Sequence, residues 1–262
     1  MEGALNLIFV HGVLGFREKF GVEYFRGVAK HFRDLGFHVL APELDPTRGI
    51  EVRGTQLRDQ ISAAFGSGAL EAGAKTHIIA HSMGGLDSRF MLSPANPAGL
   101  TIPVRSLTMI GTPHFGSPVA DALEHAVGAS LLSHLLEAAL GNLGISLECM
   151  RDLTTGSCRA FSARYVDRPG VAYFSVAGVG RPGLLPTAGA FLPFHGFIKE
   201  KTNQANDGMV PQDSAAWGTV DPAPWAADHA EEIGYNLDNL AAQPAFGYMA
   251  KYDDVVRRVA TL

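Results

Sequence analysis

The chain has 262 residues, 47% of them hydrophobic and 18% charged, with a formal net charge of -5 at pH 7. That is enough apolar material for one large core without a second domain. No basic cluster exceeds Arg257-Arg258, which removes the electrostatic basis for nucleic-acid binding. No apolar run of about eighteen residues is free of charges or helix breakers, so no membrane span is expected.

Residues 6–10, Asn-Leu-Ile-Phe-Val, form a short apolar run that predicts a strand covered on both faces. It leads into His11-Gly12-Val13-Leu14-Gly15, a turn whose Gly12 lets backbone amides approach a substrate. Residues 24–35 carry Phe25, Val28, Ala29 and Phe32 at helical spacing, and Gly36 stops the helix. A strand over 37–44 and an amphipathic helix over 55–70 follow. Next come a strand over 76–81, a helix over 83–92 and a strand over 104–110. This alternation predicts an α/β fold with a mostly parallel sheet, whose ligands bind beyond the carboxyl ends of the strands.

The stretch 119–155 breaks the alternation. Leu132, Leu135, Leu136, Ala139, Leu140 and Leu143 fall on one helical face, and the length exceeds what a crossover needs. Residues 120–150 are therefore read as a helical lid inserted into a single domain spanning 1–262, with an ordinary sheet-covering helix as the alternative. Residues 160–165 look helical and 171–179 form another apolar strand. Residues 181–197 are a Pro- and Gly-rich but apolar loop that must fold onto the core or line a greasy site. Phe246, Met249, Tyr252, Val256 and Val259 mark a C-terminal helix with one buried face.

The chemistry centres on Ala80-His81-Ser82-Met83-Gly84-Gly85. A strand enters and a helix leaves. Small residues stand two places before and two after Ser82, which a sharp strand-to-helix turn requires if a serine Oγ is to project clear of the sheet. A serine hydroxyl needs a base, and the base needs an orienting acid. Of the later histidines, only His195 and His229 come after the last strands, and His229 is the preferred base. Asp207, in the turn Asn206-Asp207-Gly208, lies between nucleophile and base in chain order. Asp213, Asp221 and Asp228 are rivals that spacing alone does not dismiss. The oxyanion donors expected are the amides of Met83 and Val13.

Taken together, these motifs resemble the bacterial true lipases, the pseudomonad-type triacylglycerol lipases of the α/β-hydrolase superfamily. The resemblance runs through residues 9–16, Glu51-Val-Arg-Gly-Thr-Gln-Leu57, the elbow, Gly111-Thr-Pro-His-Phe-Gly-Ser117, Leu153-Thr-Thr-Gly156, Asn206-Asp-Gly-Met-Val210 and Asp228-His-Ala-Glu-Glu232. It implies Ser82 as nucleophile, Asp207 as acid, His229 as base, Val13 and Met83 as oxyanion donors, and a mobile lid near 120–150. It also implies a structural calcium with one ligand on Glu231, although a partner aspartate is missing before Asp207, where Lys199, Glu200 and Lys201 stand. The family's disulfide pairing does not match Cys149 and Cys158, whose spacing fits either a small closed loop or two free thiols.

The resulting expectation is a carboxylic ester hydrolase that needs no cofactor, with a lipid or other ester as partner and a lipid–water interface as a candidate surface. Leu14, Phe191 and Phe194 are the expected acyl contacts. A short-chain soluble esterase, a thioesterase, lactonase or amidase, and a non-catalytic binding module are the alternatives. The lid leaves both a monomer and a lid-mediated dimer open. The start of the sequence lacks a basic leader, so the expectation is a cytoplasmic protein or an exported one whose signal has been removed.

Overall fold

The computed structural model describes residues 5–13, 15, 23–127, 148–180 and 187–262. Six strands form one sheet: β1 (Asn6–Val10), β2 (His38–Leu40), β3 (Thr76–His81), β4 (Ser106–Ile110), β5 (Ala172–Val176) and β6 (Thr219–Val220), in the order β2-β1-β3-β4-β5-β6. All five pairings are parallel. The chain runs from β1 outward to β2 and then returns across β1 to β3, so the strand order reverses between β1 and β3. That crevice is where open α/β sheets bind ligands. Val10 lies opposite Ala80, and His81 opposite Ile110, so β1, β3 and β4 end level with one another and deliver their following loops to one place.

The sheet is buried on both faces because alternate side chains go to opposite sides. Leu7, Phe9, Ile79, Ile110 and Val176 pack with Phe25, Val28, Phe32, Tyr252 and Val256, the last five drawn from the approach to α1 (Val28–Asp34), from α1 itself and from α8 (Tyr248–Ala260). Ile8, Val10, Ile78, Ala80, Leu107 and Met109 pack with Leu57, Ile61 and Met91, from α2 (Ile50–Ser67) and α3 (Met83–Leu92). Each fully buried Leu, Ile or Phe contributes about 1.5–3 kcal/mol relative to exposure. A third cluster joins Met83, Leu86 and Phe90 to Cys149, Cys158 and Phe161, and so holds α3 against α5 (Glu148–Asp152) and α6 (Thr155–Arg164). Between β4 and α5, α4 spans Pro118–Val127.

Several boundaries differ from the sequence reading. β2 is three residues long, because Pro42 has no amide to continue the ladder. α2 begins at Ile50 rather than Thr55, since the Ile50 amide is capped by Asp152 Oδ2 at 2.7 Å, a partner 102 residues away. The apolar loop ends in a helix, α7 (Leu192–Thr202), with a proline in its first turn, where a missing N–H costs nothing. The leucine stripe 132–143 of the expected lid lies outside the described residues, as do Leu14 and 181–186. Cys149 and Cys158 are both buried thiols and form no disulfide. Among the described residues, no helix is long and apolar enough to cross a membrane.

Candidate active site

Ser82 sits where β3 meets α3, with φ 55° and ψ −132°. Few non-glycine residues tolerate that conformation, and it persists only where the surroundings over-determine it. Here they do. The Ser82 amide donates to the Ile110 carbonyl at 2.9 Å. The close approach of chains explains the small residues around it: a Cβ on Gly84 would lie 2.6 Å from the Val10 carbonyl oxygen, and one on Gly85 2.2 Å from Thr112 Oγ1. Ala80 faces the fully packed side of the sheet.

Ser82 Oγ lies 2.9 Å from His229 Nε2, and His229 Nδ1 lies 2.7 Å from Asp207 Oδ2. The other carboxylate oxygen, Oδ1, accepts the amides of Met209 (2.7 Å) and Val210 (2.6 Å). An ionised Asp207 only accepts, so its partner Nδ1 carries the imidazole proton, and the Nε2 lone pair is left to receive Ser82 O–H. The His229 amide also donates to the Asp207 carbonyl at 2.9 Å, so the two residues are joined through main chain and side chain alike. The rivals lie elsewhere: Asp221 pairs with Arg258 at 2.7 Å, Asp213 is exposed, and His195 is buried on α7.

Met83 opens α3, so its amide has no acceptor within the helix. Val13 lines the same cleft as Ser82 and His229. Its peptide is oriented from behind by Arg53, which is fully buried and whose Nη2 donates to the carbonyls of His11 (2.8 Å) and Gly12 (3.2 Å). Arg53 is balanced by Asp87 Oδ2 at 2.8 Å, equally buried. Burial raises the Asp87 carboxyl to about 6 despite that partner. Arg53 lies within a motif that the sequence analysis singled out, but nothing there marked its reach to the turn.

The cleft has a volume of about 700 Å³ and is predominantly apolar, with Ala120, Met150, Leu153, Phe191 and Met209 among its walls and Ile233, Leu237 and Leu240 among the rest. Phe191 is thus brought to the site, whereas Phe194 is 39% exposed and does not line it. Sequence reasoning missed Tyr24 and Glu232. Tyr24 Oη is 2.8 Å from His81 Nδ1, and His81 Nε2 is 2.8 Å from Glu232 Oε2. Glu232 follows His229 by three residues and enters the site on a single 3-10 turn, Glu231–Ile233.

The residues present do not suit calcium, a hard cation that takes six to eight oxygens. Glu231 Oε2 accepts the Asp228 amide at 3.1 Å. Asp228 Oδ1 accepts the amides of Ala230 and Glu231, and its Oδ2 that of Ala188 at 2.7 Å. These oxygens are committed to backbone donors, and among the described residues neither Asp228 nor Glu231 belongs to a set of three converging ligands. Burial also raises the Glu231 carboxyl to about 7. Among the described residues the converging ligand set is His81, His229 and Glu232, which is nitrogen-rich and already joined by hydrogen bonds.

The parallel sheet with its flanking helices and elbow is that of the α/β-hydrolases. No family model matches the chain. It is 28% identical to a triacylglycerol lipase of Pseudomonas fragi, over 90% of this chain and 91% of that one. In structure it is similar to a lipase of Bacillus licheniformis (TM-score 0.70, 21% identity, 98% of this chain and 92% of that chain). A metagenomic carboxyl esterase matches with TM-score 0.72 and 18% identity over 98% of this chain and 75% of its own. The chain is a relative of the bacterial lipases, a lipase or esterase of the α/β-hydrolase fold.

Proposed function

We propose that this chain cleaves acylglycerol esters with Ser82 as nucleophile, His229 as base and Asp207 as the acid that orients it. The observation that carries the reading is the in-line array Ser82–His229–Asp207, at 2.9 and 2.7 Å, on the wall of an apolar cleft. Ser82 Oγ attacks the ester carbonyl as His229 Nε2 takes its proton. The amides of Val13 and Met83 receive the oxyanion, and His229 returns the proton to the departing alcohol. Water activated by His229 then releases the acid from the acyl-enzyme. Nothing in this sequence of steps calls for a metal or an organic cofactor.

Long acyl chains suit a cleft walled by Ala120, Met150, Leu153 and Phe191. Ala120 and Met150 bound the stretch 120–150, which supports a lid there and contact with a lipid–water interface. The esterase among the structural neighbours makes a short-chain soluble ester the second reading. Hydrolysis of aryl esters of increasing chain length, with a triglyceride emulsion alongside, by the intact protein and by Ser82→Ala separates them. Turnover of long chains and emulsion, lost in the variant, is expected. Activity confined to short esters supports the second reading, and turnover surviving in Ser82→Ala overturns both.

A further inference from the structure

Glu232 and His81 are wholly buried polar groups that the mechanism above leaves unused. Two carboxylates face His229 Nδ1: Asp207 Oδ2 at 2.7 Å and Glu232 Oε2 at 3.6 Å. Like charges this close do not both ionise in a buried site. Asp207 takes two further amide donors. Glu232 Oε1 has no hydrogen-bond partner among the described residues, and it presses into space kept open by glycine: a Cβ on Gly178 would lie 2.0 Å from it. Glu232 is therefore the neutral member. Burial pushes its carboxyl well up, and pushes the His81 imidazole well down, so both are uncharged.

The proton positions follow. A neutral Glu232 donates through Oε2 to His81 Nε2, so the single ring proton of His81 resides on Nδ1. That Nδ1–H donates to Tyr24 Oη at 2.8 Å. With that donor on its oxygen, Tyr24 must direct its own O–H elsewhere, and Tyr24 lines the cleft. A Cβ built on Gly12 would lie 2.7 Å from Tyr24 Oη, 2.6 Å from Ser82 Cβ and 3.1 Å from Ser82 Oγ. The hydroxyl and the nucleophile thus flank one point beside the oxyanion turn.

Resting on the assignment of Ser82, His229 and Asp207, we propose that the Tyr24 hydroxyl is a third hydrogen-bond donor to the tetrahedral intermediate, presented by the buried pair Glu232–His81. Tyr24 gives up no proton. It keeps its O–H and supplies a dipole, beside the amides of Val13 and Met83, to the oxygen that gains charge. Its reacting partner is an ester with an oxygen accessible at the Gly12 side of Ser82. Glu232 and His81 are positioning residues, and they act by fixing which way the Tyr24 proton points.

Tyr24→Phe keeps the ring and removes the donor. The expected result is a fall in kcat of about ten- to a hundredfold, somewhat less than the loss of a principal oxyanion donor, with KM held within about twofold. Ester phosphonate labelling of Ser82 should slow in parallel, while the thermal midpoint stays near that of the parent. In 15N-histidine spectra of the intact enzyme, with His81 assigned by its loss in His81→Gln, His81 should be protonated at Nδ1. Glu232→Gln, whose amide can still donate to His81 Nε2, should retain most of kcat, and Glu232→Leu should lose as much as Tyr24→Phe. An unchanged kcat in Tyr24→Phe, a loss confined to KM, or an Nε2-protonated His81 would overturn the proposal while leaving the Ser82 assignment intact. Activity surviving Ser82→Ala would instead remove the reading on which it rests.

Discussion

Arg53 holds the carbonyl of Gly12 at 3.2 Å on the side away from the cleft. In a trans peptide the C=O and the next N–H point in opposite directions, so this bond turns the Val13 amide toward the cleft. The Gly12-Val13 turn, proposed above to hold the oxyanion, therefore takes its orientation from a helix 40 residues downstream. Removing Arg53 alone strands Asp87, and breaking such a buried pair costs about 3–5 kcal/mol. Arg53→Leu should lower the melting temperature steeply. The double change Arg53→Leu with Asp87→Leu should restore much of the stability but not kcat. Recovery of both in the double variant would show that the pair serves folding alone.

Gly12 has a second, steric requirement. A methyl there would lie 2.6 Å from Ser82 Cβ and 3.1 Å from its Oγ. Displacing a nucleophile by about 1 Å can cost on the order of a hundredfold in rate. Gly12→Ala is expected to fold, as judged by near-UV circular dichroism, and to lose activity on that scale. An active Gly12→Ala protein would mean that the turn has more room than the backbone allows here.

Glu231 gives the stability a pH dependence with a definite sign. Its carboxyl is raised from 4.5 to about 7, first by burial and then by Asp228 and Asp238. The folded chain holds this proton after the unfolded chain has released its own, so the contribution is complete below pH 4.5 and is lost as pH rises to about 7. Glu231→Gln should raise the melting temperature at pH 8 and change it little at pH 4. Equal shifts at both values would contradict this.

Because both Asp228 oxygens and Glu231 Oε2 already accept backbone amides, chelation should leave the protein unmoved. Activity and melting temperature with EDTA are expected to match those with added calcium. A clear drop on chelation would point to ligands beyond the residues described.

What the sequence disclosed depends on how local the physics is. The elbow was legible because sterics within six residues, Ala80 to Gly85, dictate it. Asp207 was legible only as one of several aspartates, since it is distinguished by two amides and a histidine that converge after folding. Tyr24 and Glu232 were not legible: each meets His81 across 57 and 151 residues of chain, and neither carries a motif of its own. The early start of α2 was hidden for the same reason, its cap being Asp152.

The double attachment of His229 to Asp207 has a mechanical consequence. Ser82 is mounted on the middle of the sheet, whereas the proposed acid–base pair is carried on loops flanking β6, an exposed edge strand of two residues. Edge pairing of that length contributes little, so these loops are held instead by Trp225, Ala227 and Ile233, buried in the core beside Leu7 and Phe9 of β1. Asp207 and His229 should therefore move as one piece and keep their place beside Ser82 until that core loosens. Activity lost on warming would then disappear together with the tertiary packing around β1, not ahead of it.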